Sequence, residues 1–134
     1  MNKAFIFNIQ NLLNYDLEIF DLSQDQIDLY NSRVSKNINY YHENGELKSI
    51  VTYRCRLRGV DTIEKKSKQK DMFIYREIIS KLKKYDGYIM IKIHHIDKYN
   101  RLIVDMCDLD GNDISSILLF DKKHFKIFNN KNII

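Results

Sequence analysis

Hydrophobic and polar positions alternate most regularly in two stretches of the chain. Over residues 50–60 the sequence is β-branched and aromatic, and a period of two sets Arg54, Arg56 and Arg58 on one face against Tyr53, Cys55 and Leu57 on the other. Residues 88–96 alternate as clearly, and 102–109 supply a partner strand across the turn Asp97-Lys98-Tyr99-Asn100. A shorter hairpin is expected from a strand over 17–22, a turn at Ser23-Gln24-Asp25-Gln26 and a strand over 27–30 with Ile27 and Leu29 inward. Residues 31–47 read as an insertion or a lengthened hairpin that turns at Glu43-Asn44-Gly45-Glu46. The period then changes: Phe73, Ile74, Ile78, Ile79 and Leu82 recur at three- and four-residue steps, predicting an amphipathic helix capped by Asp71 and stopped at Gly87. A tight turn at Asp110-Gly111 leads to a short helix within 113–120. Residues 1–15 fit a strand at first and a helix by their end, so their type stays open.

Composition narrows the class. A chain of 134 residues, 44% hydrophobic and 30% charged, holds one soluble domain with one core. The net charge of +4 points to an acidic partner, and the basic residues gather at 54–58, 65–70 and 122–126. Cys55 and Cys107 stand far apart, with no C-x-x-C pair and no zinc-ligand spacing, and read as buried free thiols in a reducing compartment. The apolar run at 4–9 is too short for a signal peptide or a membrane span. The expectation is a non-secreted, cytoplasmic protein with no membrane partner. His94 and His95 are adjacent, so regular alternation points them to opposite faces, one packed and one solvated.

The chemistry-bearing run is Arg56-Leu57-Arg58-Gly59-Val60-Asp61-Thr62-Ile63-Glu64, where an arginine-bearing strand breaks at a glycine and two carboxylates follow. A hard cation needs several oxygen ligands, and an aspartate plus a backbone carbonyl at a strand end supply two side by side. The spacing of Arg56, Asp61, Thr62 and Glu64 resembles the signature of the staphylococcal nuclease (thermonuclease) family, with Ile63 where that family usually has proline. Asp97-Lys98-Tyr99-Asn100-Arg101 is similar to the family's aspartate-lysine-tyrosine-glycine-arginine between the same two strands. Asn100 stands in for glycine because asparagine tolerates the left-handed conformation. A third motif, aspartate-glycine-aspartate-threonine, whose second aspartate ligates metal, falls on Ser23 to Gln26 and keeps only Asp25. A competing alignment on Ser35-Lys36-Asn37 leaves no carboxylate there.

The resemblance implies an α+β, mainly β fold: a five-stranded barrel of the oligonucleotide-binding (OB) type with packed helices over residues 17–134, preceded by an N-terminal extension at 1–16. It implies that Asp25, Asp61 and the Thr62 carbonyl hold calcium, that Glu64 is the general base, and that Lys98 and Tyr99 line the substrate groove. Arg56 and Arg101 would grip phosphate oxygens through planar, bidentate contacts. Read without the resemblance, both arginines are ordinary ion-pair partners of Asp61 or Glu64, and Lys98 and Tyr99 are simply exposed. The expected protein is a monomeric, calcium-dependent, sugar-nonspecific nuclease acting on DNA or RNA, single strands preferred. A catalytically degenerate relative that binds without cleaving is the first alternative, and an interaction module unrelated to nucleic acid is the second.

Overall fold

In the computed structural model, residues 1–11, 13–62, 80, 86–119 and 125–127 are described, with the backbone alone for 11, 61–62, 117–119 and 125–127. Strands dominate. They are β1 (Asn2–Asn11), β2 (Asn14–Ile19), β3 (Lys36–Glu43), β4 (Glu46–Leu57), β5 (Val60–Thr62), β6 (Tyr88–Ile96), β7 (Leu102–Cys107) and β8 (Phe125–Ile127). Among the described residues two helices, α1 (Gln24–Arg33) and α2 (Ile114–Leu119), accompany them. The larger sheet has six strands in the order β2-β1-β6-β7-β4-β3, and β2 pairs with β4 as well. β4 and β7 run parallel, whereas the other pairs are antiparallel. β5 and β8 form a separate antiparallel pair. No helix among the described residues is long and apolar enough to cross a membrane.

Alternation explains the core. Tyr15 and Leu17 of β2, Tyr53, Cys55 and Leu57 of β4, Ile89 and Ile91 of β6, and Leu102, Val104 and Met106 of β7 are all buried. The intervening residues of β4, Arg54 and Arg56, take the other face, as the period-two reading requires. The lengthened-hairpin reading of 31–47 also holds in its second part. β3 and β4 meet at Asn44 (φ 52°) and Gly45 (φ 78°), the paired positive φ values of a two-residue hairpin turn. Asn100 adopts φ 63°, the left-handed geometry expected of it.

The strand expected at 27–30 is instead part of α1. Ser23 accepts from Gln26 N at 3.1 Å while Gln26 Oε1 accepts from Ser23 N at 2.9 Å, a capping box that starts a helix where a turn had been read. Helical period then reverses the expected faces: Tyr30 is buried, edge-on to Tyr53, and Leu29 is exposed. Replacing Ser23 by alanine is expected to lower stability by about 1 kcal/mol, measured as a shift of the urea midpoint. An unchanged midpoint would show that packing alone holds α1.

Residues 1–16, read as an extension, supply β1 and the start of β2, and the boundary drawn at 16/17 falls inside β2. Part of the basic tail is the strand β8. The amphipathic helix expected over 71–86 lies almost wholly outside the described residues.

Candidate functional site

Asp97 organises the turn between β6 and β7. Its Oδ1 accepts from the backbone N–H of Tyr99 and of Arg101, each at 2.9 Å, and its Oδ2 takes Arg101 Nη2 at 2.7 Å. Burial works against ionisation of Asp97. The hydrogen bonds from Arg101, its charge and the Tyr99 N–H outweigh burial and hold the carboxyl below its ordinary range. Arg101 also donates Nη1 to Asn14 Oδ1 at 3.0 Å and lies 5.1 Å from the centre of the exposed Tyr99 ring. Lys98 Nζ is 5.2 Å from the same ring, so Lys98, Tyr99 and Arg101 form one cationic, aromatic turn.

Asn14 is the Cα partner of Arg56 in the β2–β4 pairing. Asn14 is thus a shared neighbour, of Arg56 through strand register and of Arg101 through its side chain. Arg56 donates Nη1 to the Leu57 carbonyl at 2.9 Å and Nη2 to the Val60 carbonyl at 3.0 Å. It spans the break at Gly59 (φ 79°) and ties the end of β4 to β5, the strand that carries Asp61 and Thr62. Asp61 and Thr62 pair through their backbones with Lys126 and Phe125 of β8, and their side chains are outside the described set. Glu64 lies outside the described residues altogether.

Asp25 is not brought to this place. It is an exposed residue in the first turn of α1. The far end of that helix approaches the β6–β7 turn, through Ser35 N to the Asn100 carbonyl at 2.8 Å. At about 1.5 Å per residue, Asp25 stands about 12 Å back along the axis from Arg33. Beside Arg56 and Arg101, β2 contributes the uncharged Asn14 amide and, two residues on, the Asp16 carboxylate, which is paired with Arg54. Among the described residues no three His, Cys, Asp or Glu side chains are grouped to hold a metal.

No family model, curated protein or solved structure matches the chain. The assignment of chemistry therefore rests on the residues themselves.

Two further ion pairs stiffen the arginine face. Arg54 Nε meets Asp16 Oδ1 at 3.0 Å, and Asp16 is almost fully buried. Arg58 Nε meets Asp105 Oδ1 at 2.9 Å, while His94 Nε2 meets Asp105 Oδ2 at 2.7 Å. Burial raises the Asp105 carboxyl, but hydrogen bonds from His94 and Arg58 and their charges hold it below the usual carboxylate range. The β6–β7 register shifts between Ile93 and His95, a bulge with His94 as the extra residue. Both histidines border one cleft, and His94 is half-buried while His95 is exposed, the packed and solvated pair expected. Both cysteines are free; Cys55 is buried, and burial, with Asp16 adding to it against Arg54, pushes its thiol up. Cys107 is half-buried.

Asp97 and Asp105 fix a pH expectation. A carboxylate whose folded pKa lies below its unfolded value stabilises the fold above the unfolded pKa, and that contribution disappears as pH falls through the folded one. The urea midpoint should accordingly stay level above pH 5, roughly, and drop below the ordinary value of 3.8. Asp105→Asn should flatten that drop. An unflattened drop would assign it to other carboxylates.

Proposed function

We propose that the chain is an OB-type barrel that takes the sugar–phosphate backbone of single-stranded DNA or RNA across Arg56 and Arg101 and hydrolyses it in the manner of a thermonuclease. The barrel reading is supported by the pairings. β1, β2, β4, β6 and β7 each have two neighbours within that set, and the cycle β1-β2-β4-β7-β6 returns to β1. In an OB barrel the paired second and third strands and the loops joining strands one to two and four to five form the binding face. Taken in order along the chain, those strands are β2 and β4, and the loops are the β1–β2 connection and the 97–101 turn. The observation that carries the proposal is the 3.0 Å bond from Arg101 to Asn14, which joins the two loops beside Arg56.

Phosphoryl transfer to water needs charge neutralisation on the phosphoryl oxygens and a positioned nucleophile. Arg56 and Arg101 supply guanidinium planes suited to two phosphate oxygens. Glu64 is the proposed general base. Calcium is retained as the cofactor on Asp61 and the Thr62 carbonyl, where its chemistry would be to polarise a phosphate oxygen, and Asp25 is removed from its ligand set. Lys98 and Tyr99 extend the groove by a phosphate contact and base stacking.

The Asn14 amide and the placement of Asp25 favour a second reading, binding without cleavage. One experiment separates the two: incubation of a labelled single-stranded DNA oligomer with the protein and calcium, with chelator, and with the Glu64→Gln variant and calcium. Calcium-dependent cutting lost in both controls is the expected result. Retained, salt-sensitive binding without cutting would select the second reading, and absence of both would overturn the phosphate-site proposal.

A further inference from the structure

α1 and the bulged end of β6 enclose a cleft of about 350 Å³. One helix face lines it, Gln26, Leu29, Tyr30 and Arg33, at the spacing that puts side chains on a single side of a helix. Opposite stand Ile93 and Ile96 with the two histidines of the bulge. This wall exists because β6 carries one residue more than β7 there.

The lining has a definite chemistry. Arg33, His94 and His95 contribute a fixed cation and two imidazoles, and no carboxylate is among the described residues that line the cleft. The acid nearest His94, Asp105, is already held by Arg58 Nε at 2.9 Å and His94 Nε2 at 2.7 Å. That contact fixes the His94 imidazole through Nε2. The remaining wall is apolar: Ile93 and Ile96 are half-buried, and Leu29, although aliphatic, is 44% exposed on this face of the helix. An occupant must combine an anionic group with a flat apolar body. The volume lies at the lower end of the roughly 300–1,000 Å³ usual for small-ligand sites.

We propose that this cleft is a nucleotide-binding site, separate from the Arg56–Arg101 face. It takes the phosphate of a nucleoside monophosphate unit on Arg33 and the histidines, and the base against Leu29, Ile93 and Ile96. The site needs no cleavage activity and does not depend on the nuclease reading.

The test is titration of the full-length protein with adenosine 5′-monophosphate, followed by NMR on the methyl groups of Leu29, Ile93 and Ile96. Those methyls should shift with saturation below millimolar nucleotide. Ribose 5-phosphate, which lacks the base, should bind about tenfold more weakly, and Arg33→Gln should weaken the nucleotide by a similar factor. Arg33 is an exposed helix residue, and circular dichroism of Arg33→Gln should match the parent. Arg101→Gln should leave the nucleotide titration unchanged. A short oligodeoxyadenylate distinguishes the two sources of such a unit: loss of its binding in Arg33→Gln identifies a strand terminus as the occupant, and unchanged binding a free nucleotide. No methyl shifts at millimolar nucleotide, or binding lost in Arg101→Gln and kept in Arg33→Gln, would overturn the proposal.

Discussion

Arg101→Gln is expected to reduce cleavage of single-stranded DNA by a factor of about 100, the cost typical of removing one preorganised donor from a developing oxyanion. The side chain makes three contacts at once, with Asp97, Asn14 and the Tyr99 ring, so its guanidinium is held in place before any substrate arrives. Lysine at this position restores charge without the planar fork, and Arg101→Lys should recover only a small part of the loss. Asp97 loses its ion-pair partner in Arg101→Gln, which predicts a modest fall in stability; the urea midpoint, read beside the rate, separates folding from chemistry. If the protein binds without cutting, the same substitution should reduce the slope of log affinity against log salt by about one contact. Unaltered cleavage together with an unaltered salt slope would remove Arg101 from the site.

Asp16→Ala is expected to be the most destabilising single change on the arginine face, at about 3 kcal/mol. Asp16 is only 4% exposed, lies opposite Arg54 in the β2–β4 register, and accepts Arg54 Nε at 3.0 Å. Asn8 and Gln10 add longer contacts to its other oxygen, 3.4 Å each. Truncation removes the charged acceptor of Arg54, whose side chain is 30% exposed, and of the Asn8 and Gln10 amides, and the loss of these contacts with the buried carboxylate supplies most of the cost. An apolar pair at both positions, Asp16→Leu with Arg54→Met, should recover much of the stability, since a buried pair repays its desolvation poorly. Urea unfolding of the two single variants and the double variant checks this. A loss under about 1 kcal/mol in Asp16→Ala would mean that water reaches Arg54.

The strands that carried the chemistry were legible because their faces differ sharply. β6 and β7 alternate without a break up to the bulge, and β4 sets arginines against Tyr53, Cys55 and Leu57. β1 was not legible for a physical reason: its pairing with β2 shifts register after Ile6 and again after Ile9, and each shift destroys the period of two. Without β1 the start of β2 had no partner, so Asn14 went unnoticed, and residues 23–30 were read as a turn and a strand. The signal that should have corrected this was Ser23 with Gln26 three residues later, a helix start rather than a turn. The bulge at His94 was hidden for the same reason as β1, since a bulge leaves no mark on a single sequence, although the expected packed and solvated pair holds, with His94 half-buried and His95 exposed. β8 pairs with β5 through three residues in a basic, asparagine-rich tail that carries no alternation long enough to read.

The β5–β8 pairing also sets an order of events. Every strand of the six-stranded sheet precedes β8 along the chain, so a ribosome delivers the whole sheet before the segment that pairs with Asp61 and Thr62 emerges. A nascent protein can thus assemble the sheet that carries Arg54 and Arg56 while β5 still lacks its partner strand.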